Sequence, residues 1–147
     1  MSAIRRAEVS WSGDLSTGTG TVSATSSHAF TDLPVSWAAR TEEPGGKTSP
    51  EELVAAAHAS CFAMAFSGGL GRAGTPPERL AVSADVTFDK VEAGWRVVSS
   101  HLTVRGVVPG ISEADFVEAA EAARDGCPIS QALTGNVALS VDAALET

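Results

Sequence analysis

The stretch SPEELVAAAHASCFAMAFSGGLG, Ser49 to Gly71, constrains the fold more than any other part of the chain. Ser49 with Glu52 three residues on has the form of a capping box, and Pro50 occupies the first helical position, where a missing N–H costs nothing. A long helix starts there. Counted from that start, Leu53, Val54, Ala57, His58, Cys61, Met64 and Ala65 recur at spacings of three and four, a broad apolar stripe with Cys61 on or beside the buried face. The chain has one other cysteine, Cys127 in DGCPISQAL, 66 positions later.

Two thiols in such settings have two readings. Free cysteine packs as a small hydrophobe, and either residue can be an inert part of the core. Cys127, however, sits between Gly126, which closes one helix, and Pro128, which opens another; unpaired N–H groups at a helix start favour a thiolate. If folding brings the two Cα atoms within roughly 7 Å, the pair can cycle between dithiol and disulfide. A separation of 66 residues carries no motif-level specificity, so both readings stand at this point.

Bulk properties set the scene. A chain of 147 residues, 44% hydrophobic and 19% charged, suits one domain with its own core. Ten Lys and Arg against eighteen Asp and Glu give a net charge of -8, so no basic footprint exists for nucleic acid or anionic lipid, and neither is an expected partner. The start MSAIRRAEVSWSG lacks an apolar segment after its arginines, and no run of eighteen apolar residues occurs. A soluble, cytoplasmic protein is expected. Two cysteines without a signal peptide do not suggest a secreted disulfide framework.

Elsewhere the pattern alternates between strand and helix. Short runs at Ala7 to Trp11 and Gly20 to Thr25 suit strands, and VSWAARTEEPGGKTSP after Pro34 reads as a Gly and Pro loop. Leu80 to Val108 alternates on both sides of Glu92-Ala93-Gly94, a long β-hairpin. SEADFVEAAEAARDG opens on a Ser112 cap, places Phe116, Val117, Ala120 and Ala123 on one face, and ends at Gly126. PISQALTG then suits a short helix and Val137 to Ala144 a last strand. The order makes an α+β domain over residues 1–147.

Two lesser features bear on the site. His58 and Cys61 at i and i+3 could be two metal ligands, but zinc needs a third and only His28, His101 and Cys127 remain, so no metal is expected. His58 reads instead as a packed, hydrogen-bonded residue beneath the thiol. Trp37, Phe62, Met64 and Phe66 are candidates for an apolar pocket, or for ordinary packing.

The segments TSPEELVAAAHASCFAMAFS and GCPISQAL, with WSGD and GTGT near the start, resemble the OsmC/Ohr peroxide-resistance family, and within it the OsmC branch. The resemblance runs over nearly the whole chain. It implies antiparallel sheets with a long central helix in an intertwined homodimer, and a thiol peroxidase that reduces organic hydroperoxides and, more weakly, hydrogen peroxide. It implies no cofactor. By motif, Cys61 corresponds to the peroxidatic cysteine, Cys127 to the resolving one, and Arg40 with Glu51 to the charged pair at the thiolate. A lipoyl-type dithiol, such as that of a lipoylated protein, is the implied reductant. Ser49 stands where the family has Asn, which keeps the cap; Arg5, Arg6 and Arg72 lack the context of Arg40. A non-catalytic redox-sensing or small-molecule-binding dimer of the same fold is the alternative.

The residue types fit that chemistry. An ordinary thiol, pKa about 8.5, is mostly protonated at neutral pH, and a guanidinium held by a carboxylate corrects this. Attack on the O–O bond leaves a sulfenic acid, which a second thiol condenses to a disulfide. Glu51 and Cys61 are ten residues apart on one helix, about 15 Å along its axis, more than a Glu side chain spans. If they serve one site they come from different subunits, and helices crossing about a two-fold near Ala56, across the small Ala55-Ala56-Ala57 run, would bring them together.

Overall fold

In the computed structural model, which describes residues 1–146, the Ser- and Gly-rich start forms a three-stranded antiparallel sheet. Its strands are β1 (Ala7–Ser12), β2 (Thr19–Ala24) and β3 (Leu33–Val35), in the order β1-β2-β3. Asp14 closes the first turn by accepting from the Thr17 N–H and hydroxyl, both at 2.8 Å. Opposite Trp11 the register requires glycine: a Cβ on Gly20 would stand 2.7 Å from the indole. The stretch after Pro34 is not loop throughout. Trp37–Thr41 is a short helix, α1, whose first turn is closed by the Ser36 hydroxyl accepting from the Ala39 N–H at 3.2 Å. A single turn of helix is too short for periodicity to reveal.

Helix α2 (Pro50–Arg72) begins where its cap places it. The Ser49 hydroxyl accepts from the Glu52 N–H at 3.1 Å, the expected half of the capping box. The return half differs, because the Glu52 carboxylate takes the Thr48 hydroxyl, at 2.6 Å. The chain divides into two compact units, Met1–Leu53 and Val54 onward, so the first turn of α2 belongs to the first and the rest to the second.

The second unit contains β4 (Arg79–Val91), β5 (Gly94–Val107), α3 (Glu113–Gly126), α4 (Pro128–Leu133) and β6 (Ala138–Glu146). β4 and β5 are the expected hairpin, with Val91 paired to Gly94 across Glu92-Ala93; Gly94 has φ +119°, which a residue with a Cβ resists. The antiparallel pattern has one exception. β6 lies parallel to β5, reached through α3 and α4, and the order is β4-β5-β6. A parallel partner needs such a crossover.

The core of this unit joins Phe62, Phe66 and Leu70 of α2 to Leu102 and Val104 of β5 and Phe116 and Ala120 of α3. The Phe66 ring lies 5.5 Å from Phe62 and 5.1 Å from Phe116, tilted in both pairs. The buried line of α2 therefore runs His58, Phe62, Phe66, Leu70, and not along the stripe expected through Ala57 and Met64; Met64 is 75% exposed. Alanine-rich turns leave the helix apolar all round, and the bulky rings decide the face. By length and apolarity α2 could cross a bilayer, but its rings pack in a protein core.

Candidate active site

Cys127 occupies an unusual joint. It is the C-cap of α3, its N–H bonded to the Ala123 carbonyl at 3.0 Å, and the N-cap of α4, its sulfur accepting from the Ser130 N–H at 3.5 Å. The sequence DGCPIS dictates this locally: Pro128 cannot continue α3 but can begin α4, so the residue before it is forced into extended backbone, φ -63° and ψ 130°. Cys127 is fully buried.

Cys61, half-buried on α2, lies close enough to that sulfur for the two thiols to influence each other. Neither cysteine is in a disulfide. The fold thus brings together two residues that the sequence separates by 66 positions. The two sulfurs differ in charge preference. Burial raises the Cys61 thiol, and the hydrogen bond with Cys127 adds to this, against a smaller opposing pull from the Ile129 N–H. For Cys127 burial again acts upward, but the Cys61 thiol, the Ser130 N–H and hydroxyl, and the Ile129 N–H together outweigh it and hold the thiol below its ordinary value.

A histidine lies behind the buried sulfur. His58 is fully buried, with Nδ1 2.6 Å from Ser100 Oγ on β5 and Nε2 2.8 Å from Ser130 Oγ on α4. Burial pushes its pKa down and keeps it neutral at pH 7. The packed histidine expected from the sequence is found; its serine partners were not foreseen. A serine has no signature of its own, although Ser130 follows Cys127 by three and His58 precedes Cys61 by three.

In the first unit, Arg40 of α1 and Glu51 of α2 form a two-point pair, Nε to Oε2 at 3.1 Å and Nη2 to Oε1 at 2.7 Å. The Glu51 side chain is 9% exposed and that of Arg40 27%. Arg40 also lies over the Trp37 ring, 5.4 Å from its centroid. A cavity of about 390 Å³ adjoins the pair, walled by Trp11, Leu15, Val22, Trp37 and Leu53, and Arg40 is the one charged residue in its lining. Of the residues read as either an apolar pocket or ordinary packing, Phe62 and Phe66 pack in the core of the second unit, Met64 is exposed, and Trp37 walls the cavity beside Arg40.

The same arrangement of elements occurs in known proteins. A family model described as OsmC-like protein matches residues 43–142. The peroxiredoxin OsmC of Escherichia coli strain K12 is 40% identical over 139 residues, 95% of this chain and 96% of that one. An organic hydroperoxide resistance protein of Xanthomonas axonopodis pv. citri is 30% identical over 95 residues, 63% of this chain and 64% of that one. Among solved structures, the organic hydroperoxide resistance protein OhrB of Bacillus subtilis superposes with a TM-score of 0.70 at 24% identity, over 94% of this chain and 97% of that chain. With the family match spanning both the start of α2 and the Cys127 joint, and a near full-length relative at 40% identity, the chain belongs to the OsmC-like protein family.

Proposed function

We propose that this protein is a cysteine-based peroxidase that reduces organic hydroperoxides, and hydrogen peroxide more weakly. The observation that carries the reading is the pairing itself: one half-exposed cysteine on α2 beside a buried one that caps α4, with neither in a disulfide. The names of the relatives, a peroxiredoxin and an organic hydroperoxide resistance protein, support the same chemistry.

Cys61 is the attacking residue, because a peroxide can reach a half-exposed sulfur and not a sealed one. Its thiolate displaces an alkoxide from the O–O bond, which leaves as the alcohol once protonated, and Cys61 becomes a sulfenic acid. Cys127 then attacks the Cys61 sulfur; the S–S bond forms, the S–O bond breaks and hydroxide leaves as water. An external dithiol, of lipoyl type, returns two electrons. Since burial disfavours the Cys61 thiolate, a cation has to supply the stabilisation, and Arg40, pre-aligned by Glu51, is that cation. The apolar cavity beside Arg40 suits an alkyl group.

The site is composite. Glu51 and Cys61 are ten residues apart on α2, about 15 Å of helix rise, and exposed Ala56, Ala57 and Ser60 offer a smooth face to a second copy. A homodimer in which each Arg40–Glu51 pair serves the partner's Cys61 satisfies this. A reducing cytoplasm suits a pair that has to be reset after every cycle.

The test is steady-state consumption of cumene hydroperoxide with dihydrolipoamide. Many turnovers, lost in Cys61→Ser and Cys127→Ser, with a sulfenic acid trapped at Cys61 in Cys127→Ser, are the expected result. Consumption that stops at one equivalent per site would make the protein a redox sensor of the same fold.

A further inference from the structure

We propose that His58 is a positioning residue for the second chemical step: clamped between Ser100 and Ser130, it turns the Ser130 hydroxyl onto the Cys127 sulfur and readies that sulfur to attack oxidised Cys61. The inference rests on the peroxidase reading for what the step is, and on geometry alone for the clamp.

A neutral imidazole has one N–H to give and one lone pair to accept with, and both serine hydroxyls can do either. When Cys127 is an anion, one assignment satisfies every group. The Ser130 hydroxyl donates to the sulfur, His58 Nε2–H donates to Ser130 Oγ, and the Ser100 hydroxyl donates to Nδ1, over contacts of 2.8 and 2.6 Å at the imidazole. When Cys127 carries a proton, all of these bonds reverse, ending with Nδ1–H donating to Ser100 Oγ. In each arrangement both imidazole nitrogens are satisfied, and among the described residues no buried side-chain nitrogen or oxygen lacks a partner.

Why would a fold keep so polar a chain in its interior? A buried imidazole without partners costs free energy, so nothing about packing favours histidine over phenylalanine at this position. What histidine adds is a donor behind Ser130. Without it, the Ser130 hydroxyl loses the polarising bond that strengthens its own donation. The residues come from three elements, α2, β5 and α4, so the clamp also fixes the orientation of the α4 turn whose Ser130 N–H caps the same sulfur at 3.5 Å.

The step it serves balances within the pair. The Cys127 thiolate attacks the sulfur of Cys61 sulfenic acid, the S–S bond forms, the S–O bond breaks and hydroxide departs. The Cys61 sulfur is reduced and the Cys127 sulfur oxidised, with no further redox partner. Hydrogen bonds that restrain the basicity of the Cys127 sulfur favour the thiolate form that this attack requires.

Two measurements test the clamp. In a Cys61→Ser background, thiolate absorbance near 240 nm is followed against pH, with the double cysteine variant as blank; the readout needs no reagent to reach a buried sulfur. His58→Phe and Ser130→Ala are expected to move the Cys127 midpoint upward by about one pH unit, and His58→Gln, which retains a donor toward Ser130, to restore most of it. In the two-cysteine protein, stopped-flow after one equivalent of hydroperoxide should find disulfide closure slowed about tenfold more than sulfenic acid formation in His58→Phe. An unchanged midpoint in folded His58→Phe, a Gln variant as impaired as Phe, or equal slowing of both steps would overturn the proposal. Failure of wild type to form a sulfenic acid would instead remove the peroxidase reading and leave the titration to decide the clamp.

Discussion

Arg40 and Glu51 meet through two parallel hydrogen bonds, 3.1 and 2.7 Å, so the guanidinium plane is fixed rather than merely neutralised. That geometry distinguishes arginine from lysine, which offers charge without the fork. Arg40→Lys is expected to lower kcat/KM for cumene hydroperoxide by about 10²-fold, and Glu51→Gln by about tenfold, since the cation survives the second change but not its alignment. Initial rates over a range of hydroperoxide concentrations measure both; an Arg40→Lys enzyme within twofold of wild type would remove Arg40 from the site.

The proposed composite site makes a prediction about mixtures. Cys61→Ser and Arg40→Ala proteins are each expected to be inactive alone. Unfolded together and refolded in equal amounts, they should recover about a quarter of wild-type turnover, because half of the dimers are mixed and each holds one intact site of two. No recovery in mixed dimers verified by mass would place Arg40 and Cys61 of one chain at one site.

His58 also links stability to pH. Its native pKa is depressed by burial, so its contribution is complete above the unfolded value of about 6.5 and is lost as the pH falls below that, where the unfolded chain binds a proton that the native one refuses. Resistance to urea should therefore fall as the pH drops below about 6.5, by up to about 1.4 kcal/mol per pH unit from this residue. The loss should be absent from the same comparison in His58→Gln. Parallel pH slopes for the two proteins would contradict it.

Core packing predicts two further losses. Phe66 touches the rings on either side of it, and Phe66→Ala is expected to cost about 3–5 kcal/mol. Gly106 offers the converse: an added Cβ would lie 2.8 Å from Leu80 Cδ2 and 2.9 Å from the Phe116 ring, so Gly106→Ala should cost about 1–3 kcal/mol through overpacking. Thermal or urea melts report both, and a neutral Gly106→Ala would mean that the Phe116 ring swings aside freely.

What the sequence made legible was mostly local. Ser49, Pro50 and Glu52 announce α2 because cap and first turn are neighbours in the chain, and Ser112 announces α3 in the same way, its hydroxyl accepting from the Asp115 N–H at 3.1 Å. The face that α2 buries was not legible, because alanines surround the rings of Phe62 and Phe66 and periodicity alone cannot weigh one apolar residue against another. The parallel partner of β6 and the serines of His58 were hidden for a different reason. Those contacts join residues about 40 to 70 positions apart, and no local pattern encodes them. Arg40 and Glu51 were found as a pair through family resemblance; α1, the short helix that aims Arg40, was read as loop.

One sulfur ends α3 and begins α4, with no residue between the helices to absorb a change at it. Any reaction that ties the Cys127 sulfur into a disulfide also weakens the acceptor that holds the Ser130 amide. Oxidation would thus be felt as local loosening. The amides of Ile129, Ser130 and Gln131 should exchange with deuterium faster in the oxidised protein than in the reduced one, so the hinge between two helices becomes a gauge of the electrons stored beside it.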